Sequence, residues 1–333
     1  MKILRLTILL FVIAFAEEPP QYSDALEQTV SAIFEDRFDD AIKICDSLSI
    51  IYPQDPTPRI FSIIAKASRM QDSEDYSSAD ALWSEITKVD SLCIAVWGEM
   101  PSSPWCAFAY GSLVGYRAIL GYFLERSGLY TVWRDAEKAA SLFEIAMLDS
   151  AAGNEAANGL GVYYYWFSAN AGLLRTFGII GDRRDEGIAL LKRSAEKSRI
   201  SKDSAMHSLV FILFDTGDTA SAIEYTQRLI TRHPTSRTAK WDMLFANYLT
   251  ANWSEAIAIS EELLSYYRGK SDFNVCQLSI ISAQSAYELG DIAACKKYLI
   301  EVEKLSKDKK IKAKLKRREL WDVYEELVKN CEH

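Results

Sequence analysis

The chain is predicted to be all-α: an α-α superhelix, or solenoid, of stacked antiparallel helix hairpins, about seven in number, with a C-terminal capping helix. Three observations predict it. Gly217-Asp-Thr-Ala-Ser-Ala222 leads to Leu229 and Pro234, Ala251-Asn-Trp-Ser-Glu-Ala256 leads to Leu263, and Gly290-Asp-Ile-Ala-Ala-Cys295 leads to Val302. The small residues at 222, 256 and 295 lie 34 and 39 positions apart, the spacing of a two-helix unit. Glycine and proline are sparse, 15 and 8 in 333 residues, which favours helices joined by short turns.

Hydrophobic content of 49% and charged content of 25% are those of a folded chain. An array of this length need not split into domains, because each repeat contacts only its neighbours. Residues 17–333 therefore read as one array, irregular over 22–200, regular over 201–304 and basic over 305–333. The net charge of −8 argues against nucleic acid as a partner. Ahead of the array, Lys2 and Arg5 precede an apolar run from Leu6 to Phe15 and an Ala14-Phe-Ala16 exit. Residues 1–16 are expected to be a secretory signal peptide, which places the mature chain in the periplasm, at the outer membrane or beyond it.

The elements follow in order. Asp24–Glu35 is predicted as a helix, and a second starts near Phe38 and ends before Pro53. Residues 58–70 and 77–89 form the next pair, and 105–127 and 131–148 a longer one. Residues 155–169 and 185–198 come next. Then 203–215 pairs with 219–232, 237–249 with 253–267, and 273–288 with 291–304. One last helix, about 310–330, closes the stack. Met100 to Tyr116 carries no charge and contains Gly111 and Gly115. Arg117 follows inside the apolar run, so this segment is read as a buried helix and not a membrane span.

Small residues recur because antiparallel helices approach closely only where one side chain is nearly absent. Ala41, Ala139, Gly187, Ala222, Ala256 and Cys295 take that place in the second helices, and Phe143, Leu191 and Leu299 fill the seam four residues on. With Pro53 and Pro234 closing two units, the pattern resembles the tetratricopeptide repeat over residues 22–53 and 203–304, and less closely over 130–200. The first-helix Trp and Gly of that family are mostly missing here; Thr29, Val210 and Leu244 stand near the Gly position. The resemblance implies a right-handed stack with a concave groove that holds peptides or protein segments.

Two regions stand out as candidate sites. Tyr163, Tyr164, Tyr165, Trp166 and Phe167 are consecutive rings that must point all round one helix. Some then fill the joint between hairpins and others suit a partner-binding groove. The glycine-bearing stretch after them is long for a turn, and Arg175, Arg183 and Arg184 are candidate anchors for acidic groups. The second region, Lys304 to Arg318, holds nine basic residues and one acid. It is read as a solvated capping helix, with docking on anionic lipid, nucleic acid or an acidic partner as the alternative.

Among the six cysteines at most one bridge is expected, with Cys93 and Cys106, which flank the Pro101–Pro104 turn, the pair to test first; Cys295 is read as a packing residue. His207, His233 and His333 lack metal-ligand spacing, and no nucleophile-elbow, zincin or phosphate-loop motif occurs. The chain is expected to be a non-enzymatic scaffold without cofactor that binds a protein or peptide. The alternative is an envelope component held at a membrane by residues 304–318.

Overall fold

The computed structural model describes residues 19–170 and 181–332, so the signal peptide expected at 1–16 and Arg175 lie outside the described residues. Every element described is a helix. The first three hairpins are α1 (Ser23–Phe34) with α2 (Phe38–Ile51), α3 (Thr57–Ser73) with α4 (Ala79–Trp97), and α5 (Pro104–Phe123) with α6 (Leu129–Ala146). Next come α7 (Ser150–Asn170) with α8 (Arg184–Lys197), and α9 (Lys202–Asp215) with α10 (Thr219–Arg232). The last are α11 (Arg237–Leu249) with α12 (Trp253–Tyr267), and α13 (Asp272–Glu288) with α14 (Ile292–Leu305). This is the all-α superhelical stack expected from the repeat.

The repeated motif builds the turn inside each hairpin. Asp36, Gly217, Ala251 and Gly290 each stand two residues before a second helix, with φ of 62°, 81°, 58° and 77°. The N–H groups of Arg37, Asn252 and Asp291 reach back to the carbonyls of Ala32, Asn247 and Ala286 at 2.8–2.9 Å. That closure satisfies the last carbonyls of the first helix while a left-handed residue reverses the chain. The Asp218 and Asp291 carboxylates then accept from the N–H groups of Ser221 and Ala294, capping the second helix. The small residues do the packing: Ala41, Ala222, Ala256 and Cys295 are fully buried. Approach is closest between α7 and α8, where a Cβ on Gly187 would lie 2.7 Å from the Gly161 carbonyl oxygen.

The uncharged stretch after Met100 forms α5, a core helix. Its Arg117 is held 2.8 Å from both Asp90 and Asp135. No helix among the described residues is long and apolar enough to cross a membrane.

First helices pack on first helices, from α1 through α3, α5, α7 and α9 to α11, and form an inner row. The row curls until α1 also touches α9 and α11. Arg237 seals this contact: its guanidinium lies 2.7 Å from Asp72, and its backbone N–H donates to Asp36 at 2.8 Å. Tyr267 Oη also donates to Asp72, at 2.7 Å, and Asn274 Nδ2 donates to the Asp72 carbonyl at 2.8 Å. The superhelix is thus closed on itself by the last turn of α3, a feature that repeat spacing does not encode.

Two sequence expectations need correction. The last helix is two, α15 (Lys309–Arg317) and α16 (Leu320–Glu332), because Glu319 adopts a left-handed φ of 59°. These helices have partners: α16 packs on α13 and α14 through Trp321, Leu327 and Cys331, and Leu315 of α15 is fully buried. No disulfide joins Cys93 to Cys106. Instead Cys295 Sγ lies 2.7 Å from Cys331 Sγ, because the small-residue position of α14 faces the last turn of α16.

Candidate functional site

Three successive first helices, α7, α9 and α11, leave a cavity of about 540 Å³ on the inner row. Val162 and Trp166 line it from α7, Leu249 from α11, and His207, Ser208, Phe211, Phe214 and Asp215 from α9. Helical spacing puts His207 and Phe211 on one face, one turn apart, and their rings meet edge-on at 5.2 Å. Trp166 is 38% exposed, Phe211 40% and Leu249 60%, so large apolar surface faces the cavity uncovered.

Two ionisable side chains line the cavity: Asp215, whose carboxylate accepts from Tyr165 Oη, and His207, whose Nδ1 lies 2.8 Å from Oδ2 of the fully buried Asp242. Burial pushes the imidazole pKa down, but the Asp242 carboxylate outweighs this and leaves it raised. The same carboxylate fixes the ring, so the imidazole edge is presented beside apolar walls. Phe34 of α1 contacts the imidazole edge-on at 6.4 Å, which ties the cavity to the closure of the superhelix.

The residues singled out in the sequence divide. Tyr165 is fully buried and its hydroxyl bonds Asp215; Tyr164 is buried and donates to Glu144 at 2.8 Å. Both rings fill the joint between hairpins, the packing place that the sequence leaves to some of the five rings. Tyr163 is half-buried and stacks on Phe167 at 5.3 Å. Only Trp166 of the four reaches the cavity. Arg183 lies over the Tyr164 ring at 3.2 Å and pairs with Glu186 at 2.7 Å, while Arg184 pairs with Asp182 at 2.7 Å. Exposed pairs of this kind are screened by solvent and leave both arginines able to exchange partners.

Sequence reasoning missed His207, Phe211 and Leu249. A signal was present: His207 and Asp242 are 35 positions apart, close to the repeat period, so stacking brings them level. Among the described residues, no group of three or more His, Cys, Asp or Glu is gathered so as to hold a metal ion.

A stack of helix hairpins with an aromatic cavity on its inner row defines a helical-repeat protein. The tetratricopeptide-repeat family model matches residues 204–236, which cover α9, α10 and the turn after them. A crystal structure of a tetratricopeptide repeat protein from Parabacteroides merdae is similar at 11% identity, over 94% of this chain and 99% of that one, with a TM-score of 0.39. No curated protein matches the chain.

Proposed function

We propose that the protein is a binding scaffold that captures a segment of another protein in the inner cavity. Tetratricopeptide repeats generally mediate contacts between proteins, which supports this class of function. The observation that carries the reading is the cavity itself: Trp166 and Phe211 stand there with more than a third of their surface uncovered. Rings in a recess are the residues on which binding energy concentrates. The raised His207 favours a segment that carries a carboxylate beside an apolar side chain. Tyr163, Arg183 and Arg184, at the adjoining end of α7 and α8, serve as further contacts for such a segment.

The role is binding and not turnover, and its place is the cell envelope outside the cytoplasm. The leader at 1–16 supports that location, and a mature chain beginning near Glu17 in a periplasmic fraction would establish it.

Panning a random peptide library on the purified chain tests the binding role. Enriched peptides should carry an apolar residue near an acid, and Trp166→Ala with Phe211→Ala should lose them while circular dichroism stays unchanged. Enrichment that survives the double variant, or no enrichment at all, would sink the reading.

A further inference from the structure

The hairpin of α5 and α6 ends in large apolar side chains that no other element covers. Tyr122 and Phe123 close α5, Leu129 and Tyr130 open α6, and Trp133 follows one turn on. Their exposures run from 44% for Trp133 to 75% for Leu129. The rings pair: Tyr122 meets Phe123 at 5.8 Å, and Tyr130 meets Trp133 at 6.2 Å. A single exposed apolar side chain needs no explanation, but a cluster at one tip does.

Beside this tip lies the most basic element of the chain. Arg317 Nη1 of α15 is 2.7 Å from Glu125 Oε1, in the turn that joins α5 to α6. Helix α15 is anchored by buried Leu315 and by Lys314 and Arg318, which pair with Glu74. Lys309, Lys310 and Lys316 stay exposed, and none of them makes an ion pair with another described residue. The fold therefore brings an uncovered aromatic tip and an unneutralised basic helix to one edge, although they are far apart in sequence.

We propose that this edge docks on the surface of an anionic lipid bilayer. Tyr and Trp rings favour the boundary between headgroups and acyl chains, where an apolar body and a polar tip are both accommodated. Lysines of α15 lie against the anionic headgroups, each contributing about 1 kcal/mol, or about fivefold in partition. Either signal alone binds weakly, and the two together give stable attachment. A protein partner fits less well, because lysine is depleted from protein interfaces whereas membrane-surface elements combine it with exposed aromatic rings. The site is separate from the inner cavity, so failure of one reading leaves the other standing.

Co-sedimentation with vesicles tests it. The purified chain should bind vesicles of mixed phosphatidylcholine and phosphatidylglycerol, and not phosphatidylcholine alone. Binding should weaken between about 0.1 M and about 1 M salt, as the screening length falls from about 10 Å to about 3 Å. Neutralising three lysines (Lys309→Gln, Lys310→Gln, Lys316→Gln) should cost about a hundredfold, at about 1 kcal/mol each. Leu129→Ser with Tyr130→Ser should lose most of the binding at either salt, with helical content unchanged because both side chains are exposed. No binding to the anionic vesicles overturns the proposal, as does full binding by the Leu129/Tyr130 variant. Lipid-free dimerisation that this variant abolishes would assign the tip to a second copy instead, and also overturns it.

Discussion

Arg237 Nη2 lies 2.7 Å from Asp72 Oδ2, joining side chains 165 positions apart across the curl of the stack. Both side chains are largely buried, at 12% and 15% exposure. Burial opposes the charge on Arg237, yet the hydrogen bond and attraction from Asp72, with Asp36 beside it, leave its pKa raised. The guanidinium also lies 3.8 Å from the centre of the Tyr266 ring. One side chain therefore binds the first two hairpins to the sixth.

Removing that side chain takes the guanidinium counter-charge from two buried carboxylates. Arg237→Met should destabilise the fold by about 3–5 kcal/mol, the usual consequence of breaking a buried pair from one side. Urea unfolding gives the magnitude. Hydrogen exchange should show α1 and residues 72–76 losing protection before α13 and α14. A loss below about 1 kcal/mol would mean that the closure does not depend on this residue.

Gly187 faces the backbone of α7, and a Cβ there would lie 2.7 Å from the Gly161 carbonyl oxygen and 2.9 Å from the Tyr165 nitrogen. Neither backbone atom can swing aside, so Gly187→Ala must push the two helices apart. We expect destabilisation of about 1–3 kcal/mol, despite alanine's better helix propensity. Thermal unfolding checks it; a rise in Tm would show that the α7–α8 joint is looser than described.

The pair of His207 and Asp242 sets a pH dependence whose sign can be worked out. His207 is raised by Asp242 against the opposing effect of burial. Its contribution to stability is fully present below the unfolded value of about 6.5 and is lost as pH rises through the folded value. Asp242 is itself raised by burial, against the lowering effect of His207, so its ionisation also costs stability as pH rises. NMR titration should place His207 above about 6.5 in the native chain and below it in Asp242→Asn, where burial acts unopposed. An unchanged titration would dissolve the pair.

Cys295 and Cys331 are poised for a covalent link. Their sulfurs are 2.7 Å apart, so a small side-chain adjustment reaches the bond length of about 2.05 Å. Oxidised glutathione can take the two electrons: the thiols lose two protons, one disulfide forms and two glutathione thiols are released. Burial pushes the Cys295 thiol up to about 12, so little thiolate exists in the native state and oxidation should be slow unless it occurs during folding. Refolding in a glutathione buffer and then alkylating the denatured chain should leave these two cysteines unlabelled. Labelling of both would overturn the link.

How far the sequence was legible follows from where the information sits. The seven hairpins were readable because Gly217-Asp218 and Gly290-Asp291 encode a left-handed turn and a cap locally, and Ala222 and Ala256 mark the contact. The break at Glu319 was not readable, since glutamate gives no left-handed signal and tertiary packing imposes it. Consecutive rings at 163–166 carry no periodicity, so burial of Tyr165 and exposure of Trp166 depended on the neighbouring helices. The link from Asp72 to Arg237 joins distant segments, and no local pattern announces it.

The curl of the inner row has a kinetic consequence. In an open array each hairpin can settle once its neighbour exists, but here the end of α3 and the turn after it await Arg237, Tyr267, Asn274 and Lys314. The N-terminal hairpins emerge early and reach their final environment only after most of the chain has been synthesised. A chain cut short in its C-terminal third would therefore show the damage at its opposite end, through contacts of high sequence separation that are slow to form.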